Sequence, residues 1–160
     1  MDPFATAEEM RAALREGTVS ARELAEQAIA RIDAVDGPLN AFRTVRREAA
    51  LAEADAAQAR LDAGDDAPLL GVPIAMKDDT DQDGEATTYG TAAYEGTANE
   101  DAEITRRIKE AGMVIVGRTL LPELAIHPFT ESMTWGATRN PWAPDRRRRR
   151  GSGRCRAPCG

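Results

Sequence analysis

The first part of the chain alternates apolar and polar residues at the spacing of amphipathic α-helices. The segment TAEEMRAALREG begins at Thr6, and SARELAEQAIARIDAVDG begins at Ser20 with Glu23 three residues later. Ser and Thr side chains cap the first turn of a helix, and a Glu three residues later completes a capping box. Each segment ends at a glycine, a residue that often follows a helix. We therefore predict two helices, one from Thr6 to Gly17 and one from Ser20 to Gly37.

A short extended segment, LNAFRTV, separates these helices from a third predicted helix, REAALAEADAAQARLDAG. The apolar positions of this third helix are mostly alanine. Because small side chains bury little apolar area, such a helix needs the surface of a larger body on which to pack. We expect a narrow stripe of Ala and Leu to hold it there.

From Leu69 onward the pattern changes to short apolar runs bounded by Gly, Pro, Asp and Thr, which is typical of buried strands joined by turns and helices. GVPIAMK and MVIVGRT are predicted strands. DAEITRRIKEAG, between them, is a predicted helix that is capped by Asn99 or Asp101 and ends at Gly112. A strand, a helical crossover and a second strand imply parallel pairing. The pattern therefore predicts an α/β fold, with N-terminal helices followed by part of a β-sheet.

The composition is that of a globular protein with one core: 160 residues, of which 42% are apolar and 30% charged. The sequence contains no apolar run of about 18 residues, the length that would suggest a membrane span. Its first ten residues, MDPFATAEEM, lack the basic-then-apolar pattern of a secretory signal. We therefore expect no membrane partner and a cytoplasmic location.

The net charge of −6 is distributed unevenly along the chain. Seven of the 21 basic residues lie in residues 146–160, which contain no acidic residue, so residues 1–145 carry a net charge of −13. An acidic body repels nucleic acid, and none is expected as a partner. The segment RRRRRGSGRCRAPCG is predicted to be a disordered basic tail. Weak, salt-sensitive nucleic-acid binding through that tail is the alternative function from another class.

Lys77 is the first candidate for chemistry, because it ends an apolar strand and precedes Asp78, Asp79 and Asp81. A lysine in this position commonly covers apolar surface with its stem while its ammonium group reaches water. The alternative is that partial burial leaves a neutral amine that can accept a proton near neutral pH. Nearby carboxylates favour the charged form, so the three aspartates would have to point elsewhere or cap the following turn.

Other residue types that support catalysis are scarce. The single histidine, His127, lies in AIHPF among apolar residues, where a structural role is the simpler interpretation. Cys155 and Cys159 lack a supporting histidine, which makes them a weak metal signal. The chain contains no HExxH, CxxC, P-loop or GxGxxG motif. We expect neither a metal nor a cofactor.

Three segments, GVPIAMKDDTDQDGEATTYGT, DAEITRRIKEAGMVIVGRTLLPELA and TESMTWGATRNPWAP, occur in an order and at a spacing that resemble the amidase signature family. The resemblance covers roughly Thr6 to Asp145, the N-terminal half of the family's pattern, and implies part of its mixed β-sheet core, truncated. In that family the lysine of this strand belongs to a Ser-Ser-Lys triad, with one serine in a cis peptide and the second as nucleophile. Lys77 is the matching position. The resemblance also implies that Ala125, just after LPEL, lies near the acyl pocket.

The implied activity is that of an amidase, which converts a small monocarboxylic amide to an acid and ammonia. The lysine would take a proton through the bridging serine from the nucleophile, giving an acyl-enzyme, while backbone N–H groups hold the oxyanion. The alternative within the family is the glutaminase-type subunit of a tRNA-dependent amidotransferase. The sequence does not indicate an oligomeric state.

The resemblance breaks after RNPWAP. The family continues with a Gly-Gly-Ser-Ser-Gly-Gly type loop that holds the cis serine, and the nucleophile follows further along. Ser152 lies near the expected place, but its neighbours do not reproduce that loop, so we assign it no role.

We hypothesise a frameshift after about Asp145, with residues 1–145 the N-terminal portion of an amidase signature domain and residues 146–160 out of frame. The chain would then be an inactive fragment. If neither other DNA frame beyond codon 145 encodes a Gly-Ser-rich loop and a long continuation, the hypothesis is wrong.

Overall fold

The structure, a computed structural model, describes residues 1–94 and 96–147, and these form an α/β fold as predicted. Its helices are α1 (Ala7–Arg15), α2 (Ala21–Leu39), α3 (Arg47–Asp62) and α4 (Glu103–Glu110). Its strands are β1 (Phe42–Val45), β2 (Pro73–Lys77), β3 (Ala86–Thr87), β4 (Gly96–Thr97), β5 (Val114–Thr119), β6 (Glu131–Ser132), β7 (Gly136–Ala137), β8 (Arg139–Asn140) and β9 (Ala143–Arg147). A short 3-10 helix, Glu123–Ala125, follows β5. Ser152, Cys155, Cys159 and residues 148–160 of the predicted tail lie outside the described residues.

The main sheet has three strands in the order β1-β5-β2 and is mixed. β2 runs parallel to β5, as the helical crossover predicted, and β1 runs antiparallel to it. In the parallel register Pro73 lies opposite Val114 and Lys77 opposite Thr119. The carboxyl ends of β2 and β5 therefore lie together at one edge of the sheet.

The first two helices begin as the sequence predicts. Thr6 and Ser20 are the N-cap residues of α1 and α2, and both capping boxes are formed. α2 continues past the predicted end at Gly37 to Leu39, and Asn40 ends it in the left-handed conformation at φ 51°. The carbonyl of Asp36 accepts the Asn40 N–H at 2.7 Å, so the last turn closes despite the glycine and the proline within it.

Replacing Ser20 with alanine is expected to destabilise the protein by about 1 kcal/mol, because it leaves the first turn of α2 without its cap. In the structure the Glu23 N–H donates to Ser20 Oγ at 3.1 Å, and the Ser20 N–H donates to Glu23 Oε2 at 2.8 Å. Urea unfolding of Ser20→Ala and Ser20→Gly measures the effect. Since glycine is a better N-cap than alanine, Ser20→Gly is expected to lose less, and equal losses would count against a capping role.

The core lies between the sheet and helices α2 and α3. α3 uses the predicted alanine stripe, with Ala50, Ala54 and Ala57 buried, although Leu51 is only half-buried. Larger side chains from α2, from β5 and from the residue before β2 complete the core: Leu24, Ile29, Ile32, Val72, Val114 and Val116. Within the described ranges, no helix is sufficiently long and apolar to cross a membrane.

The predicted cap of α4 is wrong. The helix begins at Glu103 after Ala102, and neither Asn99 nor Asp101 caps it. The Asp101 carboxylate instead accepts hydrogen bonds from Lys109 Nζ at 2.7 Å and from the Asp83 N–H at 2.9 Å. Asp101 therefore joins α4 to the loop after β2, a long-range contact that local pattern does not reveal.

Candidate active site

Lys77 lies at the carboxyl edge of the sheet, where β2 gives way to a tight turn. The Asp78 N–H donates to the Thr119 carbonyl at 3.1 Å, which continues the ladder between β2 and β5. The Thr80 N–H donates to the Lys77 carbonyl at 3.2 Å and closes the turn. The Lys77 side chain is 31% exposed. Its side chain is therefore partly accessible while its backbone belongs to a strand end, a common place for functional residues in α/β sheets.

The two aspartates that follow Lys77 point to different partners. Asp78 is fully buried, forms ion pairs with Arg118 and Arg43 at 2.8 Å each, and accepts the hydroxyl of Thr88. Asp79 turns back and accepts Lys77 Nζ at 2.5 Å. Of these two carboxylates, Asp78 points away from the lysine, as a proton-accepting role requires, and Asp79 does not.

Arg118 was not identified from the sequence, yet it is a fully buried charged group near Lys77, like its partner Asp78. Its side chain is fully buried, and Nη2 donates to the Thr80 carbonyl at 2.8 Å and to Thr87 Oγ1 at 3.2 Å. The available signal was an arginine inside the apolar run MVIVGRT. A charged side chain in a buried strand needs a buried partner, and the acidic cluster after the other parallel strand could have supplied it.

Two loops reach the same edge and place Ala125 there. The Tyr89 N–H donates to the Asp78 carbonyl at 3.1 Å, and the Leu124 N–H donates to the Tyr89 carbonyl at 2.8 Å. Gly90 has φ 73°, and a Cβ at this position would lie 2.8 Å from the Leu121 carbonyl oxygen, so the close approach of the loops requires glycine. Ala125 is half-buried with φ 58°. Its neighbour Leu124, not Ala125 itself, is joined to the turn of Lys77 through Tyr89, and the place of Ala125 in an acyl pocket stays a prediction.

The Tyr89 side chain is the aromatic group of this edge. Burial raises the pKa of its hydroxyl, and the carboxylates of Asp81 and Asp79 raise it further. Its ring meets that of Tyr94 edge to face, with centroids 5.2 Å apart. Because the hydroxyl stays protonated at neutral pH, Tyr89 can donate a hydrogen bond but does not supply a negative charge.

Among the described residues, the sequence candidate His127 does not join Lys77. His127 is exposed and stacks on Phe129, with ring centroids 5.5 Å apart. Across residues 1–94 and 96–147, no group of three or more His, Cys, Asp or Glu side chains is arranged to hold a metal ion. The site that the structure assembles is therefore a lysine beside buried and half-buried carboxylates, with donors from the flanking loops.

The structure thus places a partly exposed lysine at the carboxyl end of a parallel strand, near loops that carry left-handed residues. Comparison with known proteins is more specific, because a sequence model of the family described as Amidase matches residues 23–152. The chain belongs to the amidase signature family.

Individual relatives support the assignment. The chain is 52% identical over 150 residues to "Putative amidase AmiB2" of Mycobacterium tuberculosis, covering 91% of this chain and 32% of the relative. It is 44% identical over 141 residues to a glutamyl-tRNA(Gln) amidotransferase subunit from Halorhodospira halophila, covering 88% of this chain and 29% of the relative. The solved structure of a bacterial aryl acylamidase of the amidase signature family matches with a TM-score of 0.82 and 26% identity, covering 89% of this chain and 30% of the relative. The chain thus spans about a third of the length of these proteins.

Proposed function

We propose that this chain is the N-terminal part of an amidase that hydrolyses a small monocarboxylic amide to an acid and ammonia, with Lys77 as the proton acceptor of a Ser-Ser-Lys triad. The observation that carries the proposal is the position of Lys77 at the end of β2, with a partly exposed side chain on a strand backbone. In this position the amine can act on a substrate that is bound between the loops, because the strand limits how far the amine can move.

The proposed chemistry requires a change at the lysine. As an ammonium group, Lys77 donates to Asp79, whereas a general base must first be neutral. The Lys77–Asp79 contact is therefore exchanged for a contact with the bridging serine. The lysine then takes the serine proton as the nucleophile attacks the amide carbonyl, and returns a proton to the departing ammonia.

Neither serine of the triad is assigned to a residue of this chain. A polypeptide of these 160 residues is therefore proposed to be inactive, and the hydrolytic activity is proposed for a longer protein that contains residues 1–145. This division follows from the family pattern after RNPWAP and from the relatives, of which the chain spans about a third.

The test is an assay of ammonia release from simple aliphatic and aromatic carboxamides by two purified proteins: the 160-residue chain and the protein encoded by the continuous reading frame beyond codon 145. Only the longer protein is expected to release ammonia. Turnover by the 160-residue chain that Lys77→Ala abolishes would contradict the proposed inactivity. A folded longer protein without turnover of any carboxamide would contradict the amidase proposal.

A second candidate function is the glutaminase-type subunit of a tRNA-dependent amidotransferase, which the 44% identity to such a protein favours. The two activities differ in substrate and partner. If the longer protein releases ammonia from glutamine alone, and faster when the other subunits and charged tRNA are added, the amidotransferase function is supported. If the longer protein instead hydrolyses simple amides in the absence of other subunits and tRNA, the amidase function is supported.

We further propose a cytoplasmic location and a small-molecule amide as the substrate, without a nucleic-acid partner. The support for the absence of a nucleic-acid partner is the net charge of −13 over residues 1–145. Cell fractionation and a filter-binding assay at low salt test these points. Retention of nucleic acid that is lost when residues 146–160 are deleted would favour the basic-tail alternative.

A further inference from the structure

Arg118 holds the turn that follows Lys77 at two points. Its Nε lies 2.8 Å from Asp78 Oδ1, and its Nη2 donates to the Thr80 carbonyl at 2.8 Å. The turn itself is closed by the hydrogen bond from the Thr80 N–H to the Lys77 carbonyl. One planar guanidinium group therefore fixes the second and fourth residues of a four-residue turn whose first residue is Lys77.

The position of the guanidinium group is itself fixed by the sheet. Arg118 belongs to β5, the central strand, where it lies opposite Met76 of β2. The next residue of β5 toward the amino end, Gly117, packs so closely that a Cβ would lie 2.6 Å from the Thr44 carbonyl oxygen of β1. Nη2 also reaches Thr87 Oγ1. A shift of the turn would thus require a shift of a side chain that is anchored in the core.

The same contacts decide which carboxylate faces the lysine. Asp78 is drawn into a buried cluster with Arg118 and Arg43, and Asp79 alone meets Lys77 Nζ. Asp78 and Asp79 are the two central residues of the turn. With a different orientation of the turn, Asp78 would face the lysine in place of Asp79 or together with it. Arg118, together with Arg43, therefore holds the Asp78 carboxylate in the buried cluster while Asp79 contacts the lysine.

We propose that Arg118 is a positioning residue, which holds the Lys77 turn so that the lysine amine occupies one fixed place at the sheet edge. The importance of this for catalysis rests on the proposed amidase function, but the position of the amine is measurable without hydrolysis. The distinguishing property is the fork of the guanidinium group. Lysine at position 118 would keep a charge beside Asp78 but would lose the planar fork that also reaches Thr80.

The experiment uses the two lysines of the chain, Lys77 and Lys109. In the 160-residue protein with ¹³C-labelled lysine, an immobilised side chain gives two separate Hε proton shifts, and a freely rotating one gives a single averaged shift. Each Arg→Lys variant adds a third labelled lysine, whose signals are identified by their absence from the wild-type spectrum. Arg118→Lys is expected to average the Lys77 pair and to leave the Lys109 signals unchanged. The matched control is Arg46→Lys. Arg46 is another buried arginine, 8% exposed, which binds Glu53, Glu85 and the Ile115 carbonyl away from the Lys77 turn.

Two results would overturn the proposal: a folded Arg118→Lys protein with wild-type Lys77 signals, or an equal effect of Arg46→Lys on Lys77. If Arg118→Lys does not fold, Arg118→Gln replaces it, since the amide group can donate to Asp78 but lacks the guanidinium fork that also reaches Thr80. Arg118→Gln is expected to average the Lys77 pair, and unchanged signals in it would equally overturn the proposal.

Activity provides a separate readout in the longer protein. Displacement of a reacting group by about 1 Å can reduce rate roughly 10²-fold, so Arg118→Lys is expected to lower kcat by about that factor with KM little changed. Averaged Lys77 signals in the variant, together with no turnover by the longer wild-type protein, would support the positioning role and contradict only the amidase function. A rise in KM alone would contradict a positioning role for Arg118.

Discussion

Lys77→Ala is expected to lower kcat/KM for carboxamide hydrolysis by the longer protein by about 10²–10⁴-fold, the usual contribution of a general acid–base group. The variant removes the amine that accepts and returns the proton. The effect should fall on kcat, because Lys77 is proposed to act on the serine proton and not on substrate binding. Steady-state kinetics with one amide substrate, beside urea unfolding of both proteins, measures the change.

Lys109→Ala is the control. Lys109, in helix α4, is the other lysine of the chain, and its Nζ donates to Asp101 at 2.7 Å. It is expected to retain wild-type kcat/KM. Lys77→Ala should also keep wild-type stability within about 1 kcal/mol, because the partly exposed ion pair with Asp79 contributes little. A folded Lys77→Ala protein with undiminished turnover would rule out the assigned role.

Arg118→Met is expected to destabilise the protein by about 3–5 kcal/mol, because it removes one partner of a buried ion pair. Asp78, which is fully buried, would retain only Arg43 as a charged partner, and the Thr80 carbonyl would lose a donor. A buried carboxylate that loses a partner keeps the cost of desolvation, but fewer hydrogen bonds and ion pairs offset that cost. Equilibrium unfolding in urea, followed by circular dichroism, measures the loss.

Two comparisons separate this effect from the general loss of an arginine. Arg106→Met removes a half-exposed arginine that pairs with Glu103 and Glu110, and is expected to cost less than about 1 kcal/mol. Arg118→Lys, which keeps a positive charge beside Asp78, should lose less stability than Arg118→Met. An Arg118→Lys protein as unstable as Arg118→Met would show that packing and lost hydrogen bonds, not the missing charge, explain the loss.

Much of the fold could be predicted from local patterns. The capping boxes at Thr6 and Ser20 are formed by residues three positions apart, so the sequence contains both partners. The parallel pairing of β2 and β5 followed from the crossover between two apolar runs. The end of α2 was missed because Gly37 can be accommodated within a helix when later residues close the last turn.

The candidate site was only partly predictable, because its contacts join residues that are far apart in the chain. Lys77 was identified by its position after an apolar strand and by family resemblance. Its neighbours Asp78 and Asp79 are the same residue type one position apart, and sequence does not distinguish which of them faces the lysine. Arg118 decides this from 40 residues away. For the same reason the cap expected at Asp101 was wrong, since Lys109 and Asp83 compete for its carboxylate.

The anchoring of the Lys77 turn in the central strand affects how the site can fluctuate. Local opening of a protein is easiest where backbone hydrogen bonds are exposed and buried contacts are few. Here the turn is attached to β5 through the Thr119 carbonyl and through a fully buried side chain, Arg118. The turn should therefore belong to the same cooperative unfolding unit as the core. The free energy that keeps the sheet folded also limits how often this lysine leaves its place.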